Sequence, residues 1–166
     1  CDVLMWWGHK KHGEVKDANV QRIVRRVKEE GMGFISLHSS HFAKPNIRLM
    51  GTRCSWAAYV NDGCTCKVII KDANHPIVKG VQEFTLPAIE RYSEPYRVPE
   101  PESVPLHGMY VYPDGKEEPV RLGLCWTIGK GRMFYFAPGH ETYRDFYMAP
   151  VQQIMANAVL WEAPKA

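Results

Sequence analysis

Asp2-Val-Leu-Met-Trp-Trp7, closed by Gly8, and Gly33-Phe-Ile-Ser-Leu37 flank a segment from Asp17 to Glu30 that carries a helical stripe. The first run is apolar from Val3 to Trp7, the pattern of a strand buried on both faces. In the segment between, Val20, Ile23, Val24 and Val27 recur at i, i+3, i+4 and i+7. Asp17 or Asn19 can cap its start, and Gly31 falls where a left-handed C-cap belongs. Strand, helix and strand make a βαβ unit, which predicts a parallel sheet with a right-handed crossover. A central strand is an abrupt way to open a domain, so the run implies further elements before it.

Downstream, eight of the twelve prolines fall between Pro76 and Pro119. Strands are expected there only at Cys66 to Lys71 and Glu83 to Leu86, and the stretch from Thr52 to Glu118 reads as an elaboration of one domain. Arg121 to Ile128 and Arg132 to Ala137 are expected as strands joined by Gly129-Lys-Gly131, a hairpin-type connection. Pro150 suits the first turn of a closing helix, whose stripe is Val151, Ile154, Met155, Ala158 and Val159. Neither an internal repeat nor a low-complexity tract is present.

The 166 residues are 45% apolar, 23% charged and 11% aromatic, which excludes disordered, collagen-like and coiled-coil chains. A chain of this length can bury roughly 70% of its unfolded surface, enough for a core without staples. With 21 basic and 18 acidic residues the net charge is +3. That is too small and dispersed to recruit nucleic acid or a membrane surface, and no apolar run approaches the ~18 residues of a membrane helix. Cys1, Cys54, Cys64, Cys66 and Cys125 are an odd set that fits free thiols in the cytoplasm. The Cys54, Cys64 and Cys66 spacing matches no common zinc pattern. No charged segment precedes an apolar one at the N-terminus, so no signal peptide is expected.

Chemistry concentrates where three strands stop. In open α/β sheets ligands bind beyond the carboxyl ends of the strands. Here those ends read Trp6-Trp-Gly-His-Lys-Lys-His12, Leu37-His-Ser-Ser-His-Phe42 and Ala137-Pro-Gly-His-Glu-Thr-Tyr143, and they hold five of the seven histidines. His75 and His107 lie outside the cluster.

Four ordered motifs carry a resemblance: Asp2-Val-Leu-Met-Trp-Trp-Gly-His9, Gly31-Met-Gly-Phe-Ile-Ser-Leu-His-Ser-Ser-His-Phe42, His75-Pro-Ile77 and Gly131-Arg-Met-Phe-Tyr-Phe-Ala-Pro-Gly-His-Glu-Thr-Tyr143. Over essentially its whole length the chain resembles the ThuA-like family, named for trehalose utilisation. The resemblance implies an α/β, flavodoxin-like three-layer sandwich with a mainly parallel sheet, as in class I glutamine amidotransferases. It also implies a single domain over residues 1–166 that lacks βα units family members place before Trp6-Trp-Gly-His9. The amidotransferase relatives carry a cysteine on a strand-to-helix elbow, a glycine-rich oxyanion loop and a late His/Glu pair. By order these fall at His38 or Ser39, at Gly8, and at His140 with Glu141. No cysteine lies between Cys1 and Cys54, so glutamine hydrolysis is not expected.

Neutral imidazoles suit acid/base work near pH 7, and a carboxylate beside one can fix its tautomer. The expected catalytic residues are His38, Ser39, His140 and Glu141. Ser39 sits at the elbow as an alternative nucleophile, without the Gly-x-Ser-x-Gly context. Imidazoles with Glu141 also suit Zn²⁺ or a similar ion, with His9, His38 and His140 as expected ligands. A small-molecule carbohydrate is the expected partner, and a homo-oligomer is open. Substrate contacts are expected from Trp7, Gly8, His12, His41, Phe42 and Tyr143, because flat rings beside polar groups suit the mixed faces of a pyranose. An enzyme acting on a sugar or oxidised sugar and a non-catalytic module that binds sugar or protein both fit these residues.

Overall fold

The βαβ unit read from the sequence opens the computed structural model, which describes residues 1–164. Strand β1 (Val3–Trp7) leads through helix α1 (Asp17–Glu30) to β2 (Gly33–Leu37). Gly31 ends α1 with φ 80°, a left-handed C-cap. Then follow α2 (Lys44–Met50), β3 (Ala58–Ile70), β4 (Phe84–Ser93), β5 (Ser103–Val111), β6 (Glu117–Ile128), β7 (Gly131–Phe136) and α3 (Ala149–Glu162).

All seven strands form one sheet in the order β1-β2-β7-β6-β5-β3-β4. β1 pairs with β2 and β2 with β7 in parallel, as the crossover requires. The expectation of a mainly parallel sheet fails beyond that, because the remaining four pairings are antiparallel. The physical reason is the connections: β3 to β4, β5 to β6 and β6 to β7 turn straight back without crossover helices, and such neighbours pair antiparallel, while β5 passes β4 to pair antiparallel with β3. The Pro-rich middle contributes β3, β4 and β5 to this one sheet.

Helices cover both faces at the parallel end. Successive residues of β7 point to opposite faces. Arg132 donates to the Trp161 carbonyl of α3 at 2.6 Å, whereas a Cβ on Gly131 would meet Val27 of α1. The core between them includes Phe34, Ile35, Leu124, Phe134 and Phe136, all fully buried. β1 is not buried on both faces: it is an edge strand, with Met5 41% and Trp7 44% exposed.

The far edge of the sheet returns to the near one. β4 stands five strands from β2, which at ~4.8 Å per strand would separate them by about 24 Å in a flat sheet. Yet the Tyr92 hydroxyl of β4 lies 3.0 Å from His38 at the end of β2. The sheet therefore curls, and a bulge sharpens the bend. Val60 pairs with Arg91 and Cys64 with Ile89, so Asn61, Asp62 and Gly63 oppose the single residue Glu90. Gly63 adopts φ 67°, a conformation open to glycine, and Arg91 clamps Asp62 at 2.9 Å.

Candidate active site

The carboxyl ends of β1, β2 and β7 converge. His9 follows β1, His38 follows β2, and His140 follows β7. The His9 and His140 rings lie 4.7 Å apart, and the His38 ring is 5.6 Å from each. His9 Nδ1 stands 2.7 Å from Glu141 Oε2.

The turn after β2 is tight: His38 has φ 50°, a left-handed conformation that a side chain normally avoids. The ring is completely buried. Its Nδ1 donates to the Ala137 carbonyl at 2.8 Å, and its Nε2 faces Glu90 Oε2 at 2.9 Å and the Tyr92 hydroxyl at 3.0 Å. The Glu90 contact lacks hydrogen-bond alignment, which leaves Oε2 a buried acceptor held by charge and proximity. Burial pushes the Glu90 carboxyl up, but His38 and then His140 pull it down further, to a net position below the usual carboxylate range. Glu90 is thus an ionised carboxylate set among imidazoles, with 12% of its side chain exposed.

His140 is more open to the cleft. Burial, helped by the charges of His38 and His9, lowers its pKa against the opposing pull of Glu90 and Glu141. The Thr142 N–H donates to its Nδ1 at 3.1 Å, and its Nε2 lies 3.3 Å from the Asn61 side-chain amide. The Tyr143 hydroxyl donates to the Asn61 carbonyl oxygen, so the bulge in β3 and the loop after β7 brace one another. Glu141 is held below its ordinary pKa by a backbone N–H, with help from His9 and His140.

Beside this cluster lies a cavity of about 590 Å³. Trp7, Tyr143, Tyr147 and Phe146 give it aromatic walls, and His140 with Glu141 gives it a polar one. The Trp7 indole N–H donates to the Gly139 carbonyl at 3.0 Å, fixing the ring against the loop.

The expected residues therefore separate. His9, His38, His140 and Glu141 come together, with Trp7 and Tyr143 alongside. Gly8 is adjacent, and its carbonyl accepts from the Ser39 hydroxyl at 2.8 Å. That bond braces the β1 loop against the turn after β2. His12 packs 6.2 Å from Phe42, off the main cluster. His41 is not a substrate contact: it is completely buried and donates from Nδ1 to the Cys54 carbonyl at 2.6 Å. Tyr59 stacks on it and Phe42 tilts against it. The metal set also changes. His38 has both nitrogens engaged, and the grouping whose donor atoms lie within 4.8 Å of one another is His9, His140 and Glu141.

Asn61, Glu90 and Tyr92 were not anticipated from sequence. Ala88, Glu90 and Tyr92 do follow the period of two that places residues on one strand face. What sequence lacks is the curl that carries that face to the histidines.

All five cysteines are free thiols. No helix among the described residues is long and apolar enough to cross a membrane.

Against known proteins, a family model described as ThuA, trehalose utilisation, matches residues 1–162. No curated protein matches the chain. Among solved structures, a ThuA-like protein of Bacteroides uniformis shares 20% identity with a TM-score of 0.66, over 96% of this chain and 68% of its own. A ThuA-like protein of Parabacteroides merdae shares 15% with a TM-score of 0.67, over 99% and 72%. A cytoplasmic protein of Salmonella typhimurium shares 14% with a TM-score of 0.60, over 91% and 63%. At these identities the likeness is one of fold.

Proposed function

This chain belongs to the ThuA family, and from that premise we propose that it acts in carbohydrate metabolism as an acid/base enzyme on a sugar or oxidised sugar, with trehalose or a related disaccharide as the parent substrate. The observation that carries the reading is the cluster of His9, His38 and His140, with the half-buried Glu90 carboxylate 2.9 Å from His38, next to an aromatic cavity that takes its polar wall from His140 and Glu141.

In this reading Glu90 exchanges the proton. His38 touches no substrate; its buried ring positions the Glu90 carboxylate at 2.9 Å. His9, His140 and Glu141 meet the substrate oxygens, and the rings of Trp7 and Tyr143 pack on the sugar face. The turn at His38 corresponds to the nucleophile elbow of the class I amidotransferase-like, flavodoxin-like superfamily to which we assign the fold. With histidine in place of cysteine, the elbow retains its geometry while losing the thiolate that glutamine hydrolysis needs. Five free thiols and a relative described as cytoplasmic support a cytoplasmic location.

The test is proton exchange. Disaccharides and their keto derivatives are incubated with the protein in D₂O, and deuterium uptake at carbon beside a carbonyl is followed by NMR. Loss of a positioned acid/base group costs typically 10²–10⁴-fold, so Glu90→Gln should lose exchange by about that factor and keep sugar binding. Exchange by Glu90→Gln at the parent rate would sink the assignment. Saturable sugar binding with no exchange by the parent would instead favour a binding module built on the same aromatic cavity.

A further inference from the structure

We infer that His9, His140 and Glu141 form a binding site for a divalent cation of the zinc class, with its open side toward the 590 Å³ cavity. The donor set is two imidazoles and one carboxylate, a combination that suits borderline transition ions and that, with three protein ligands, leaves positions for exogenous oxygen.

The geometry is close to closing. Metal bonds of ~2.0–2.2 Å in a tetrahedral arrangement place neighbouring ligand atoms about 3.4 Å apart. Glu141 Oε2 lies 2.7 Å from His9 Nδ1 and 3.7 Å from His140 Nδ1, values that bracket that spacing. A cation would replace the His9 to Glu141 contact with two bonds to itself, by movements of about an ångström in side chains that are 29% and 51% exposed. To bind through Nδ1, His140 exchanges the Thr142 N–H bond it accepts there for the bond to the cation.

A further observation points to a ligand here: the three imidazole rings lie within 5.6 Å of one another, and the single carboxylate of Glu141 stands within 3.7 Å of two of them. The open positions face Trp7 and Tyr143, so the oxygens they would take are those of a polyol or carbonyl sugar whose ring packs on those aromatics.

Cation binding does not depend on turnover, so it is read without substrate and fails separately from the Glu90 assignment. Protein stripped with chelator is titrated with zinc and, in parallel, with cobalt, whose visible spectrum reports coordination number. The expected result is one equivalent bound, with a four- or five-coordinate cobalt spectrum and a raised melting temperature that chelator reverses. Removing a neighbour of a metal ligand typically costs 10–100-fold in affinity, so Glu141→Gln and His9→Ala, which remove ligands, should weaken binding roughly a hundredfold or more. His107→Ala, outside the cluster, should bind as the parent does. Circular dichroism melting of the metal-free variants checks that they fold. Parent protein that takes up no stoichiometric cation, or Glu141→Gln and His9→Ala that fold and bind as tightly as the parent, would overturn the site.

Discussion

His41 offers the sharpest test of how the interior is built. Burial first, then the charges of His38 and His12, hold its pKa down from an ordinary 6.5 to about 3, against the opposing bond to the Cys54 carbonyl. Above pH 6.5 neither the folded nor the unfolded chain protonates this ring, and its contribution to stability is complete. Between pH 6.5 and about 3 the unfolded chain binds a proton that the folded chain refuses. Stability is then lost at about 1.4 kcal/mol per pH unit, reaching about 5 kcal/mol below that window. Replacing His41 with Asn keeps a donor for the Cys54 carbonyl and removes the titration, but takes the ring from between Phe42 and Tyr59. That vacancy costs about 2–3 kcal/mol. The variant should therefore be the weaker protein near neutrality, match the parent near pH ~4.5, and exceed it in more acid solution. Urea unfolding followed by tryptophan fluorescence, at intervals from about pH 7 to about pH 4, measures the difference. A parent-minus-variant difference that stays flat across that range would refute the reasoning, because other titrating groups are common to both proteins.

Three more outcomes are expected. A Cβ on Gly33 would lie 2.5 Å from the Glu162 Cβ and 2.9 Å from its carbonyl oxygen, so Gly33→Ala should lower stability by about 1–3 kcal/mol in the same unfolding assay. Asp145 is 2% exposed and burial raises its carboxyl to about 6. It binds protons more readily folded than unfolded, so it destabilises by about 3 kcal/mol above pH 6 and ceases to do so below pH 3.8. Asp145→Asn should thus gain stability near neutrality and none below pH 3.8, steepening the pH dependence that His41→Asn flattens. The exposed edge of β1, with Met5 and Trp7 open to solvent, should favour self-association, and light scattering that shows a monomer at every concentration would contradict this.

Periodicity made the βαβ unit, the β6 to β7 hairpin and α3 legible, because each is a local pattern that its neighbours reinforce. β5 was hidden for a physical reason. Pro105 sits at an irregularity between Ser103 and Leu106, and Gly108 is needed because Leu122 and Cys66 crowd that position. Helix α2 carries its own punctuation, Pro45 in the first turn and Gly51 at φ 69°, but its seven residues are too few for a stripe. In the site, residues at the ends of parallel strands could be placed from topology alone, which accounts for His9, His38 and His140. Glu90 could not, since its position depends on a bulge and a curl that no short window of sequence records. His41 is expected at the substrate because it lies in a strand-end loop, but the turn that follows β2 turns its ring into an aromatic cage of Phe42 and Tyr59.

The curl of the sheet has a consequence for how the protein is made. Glu141 is 132 residues from the His9 it contacts, and the Asn61 amide is 79 residues from His140. At 5–20 residues per second, a ribosome releases the last member of the site on the order of ~10 s after the first. Until then β1 has β2 beside it but no β7 to lock the pair, and the ribbon of β3 and β4 has nothing to close onto. No fragment that stops short of β7 contains a cleft in any degree. Contacts this distant in sequence also place the protein among slower folders. Competence at the site therefore waits for the loop after β7, and it reports that both edges of the sheet have been brought together.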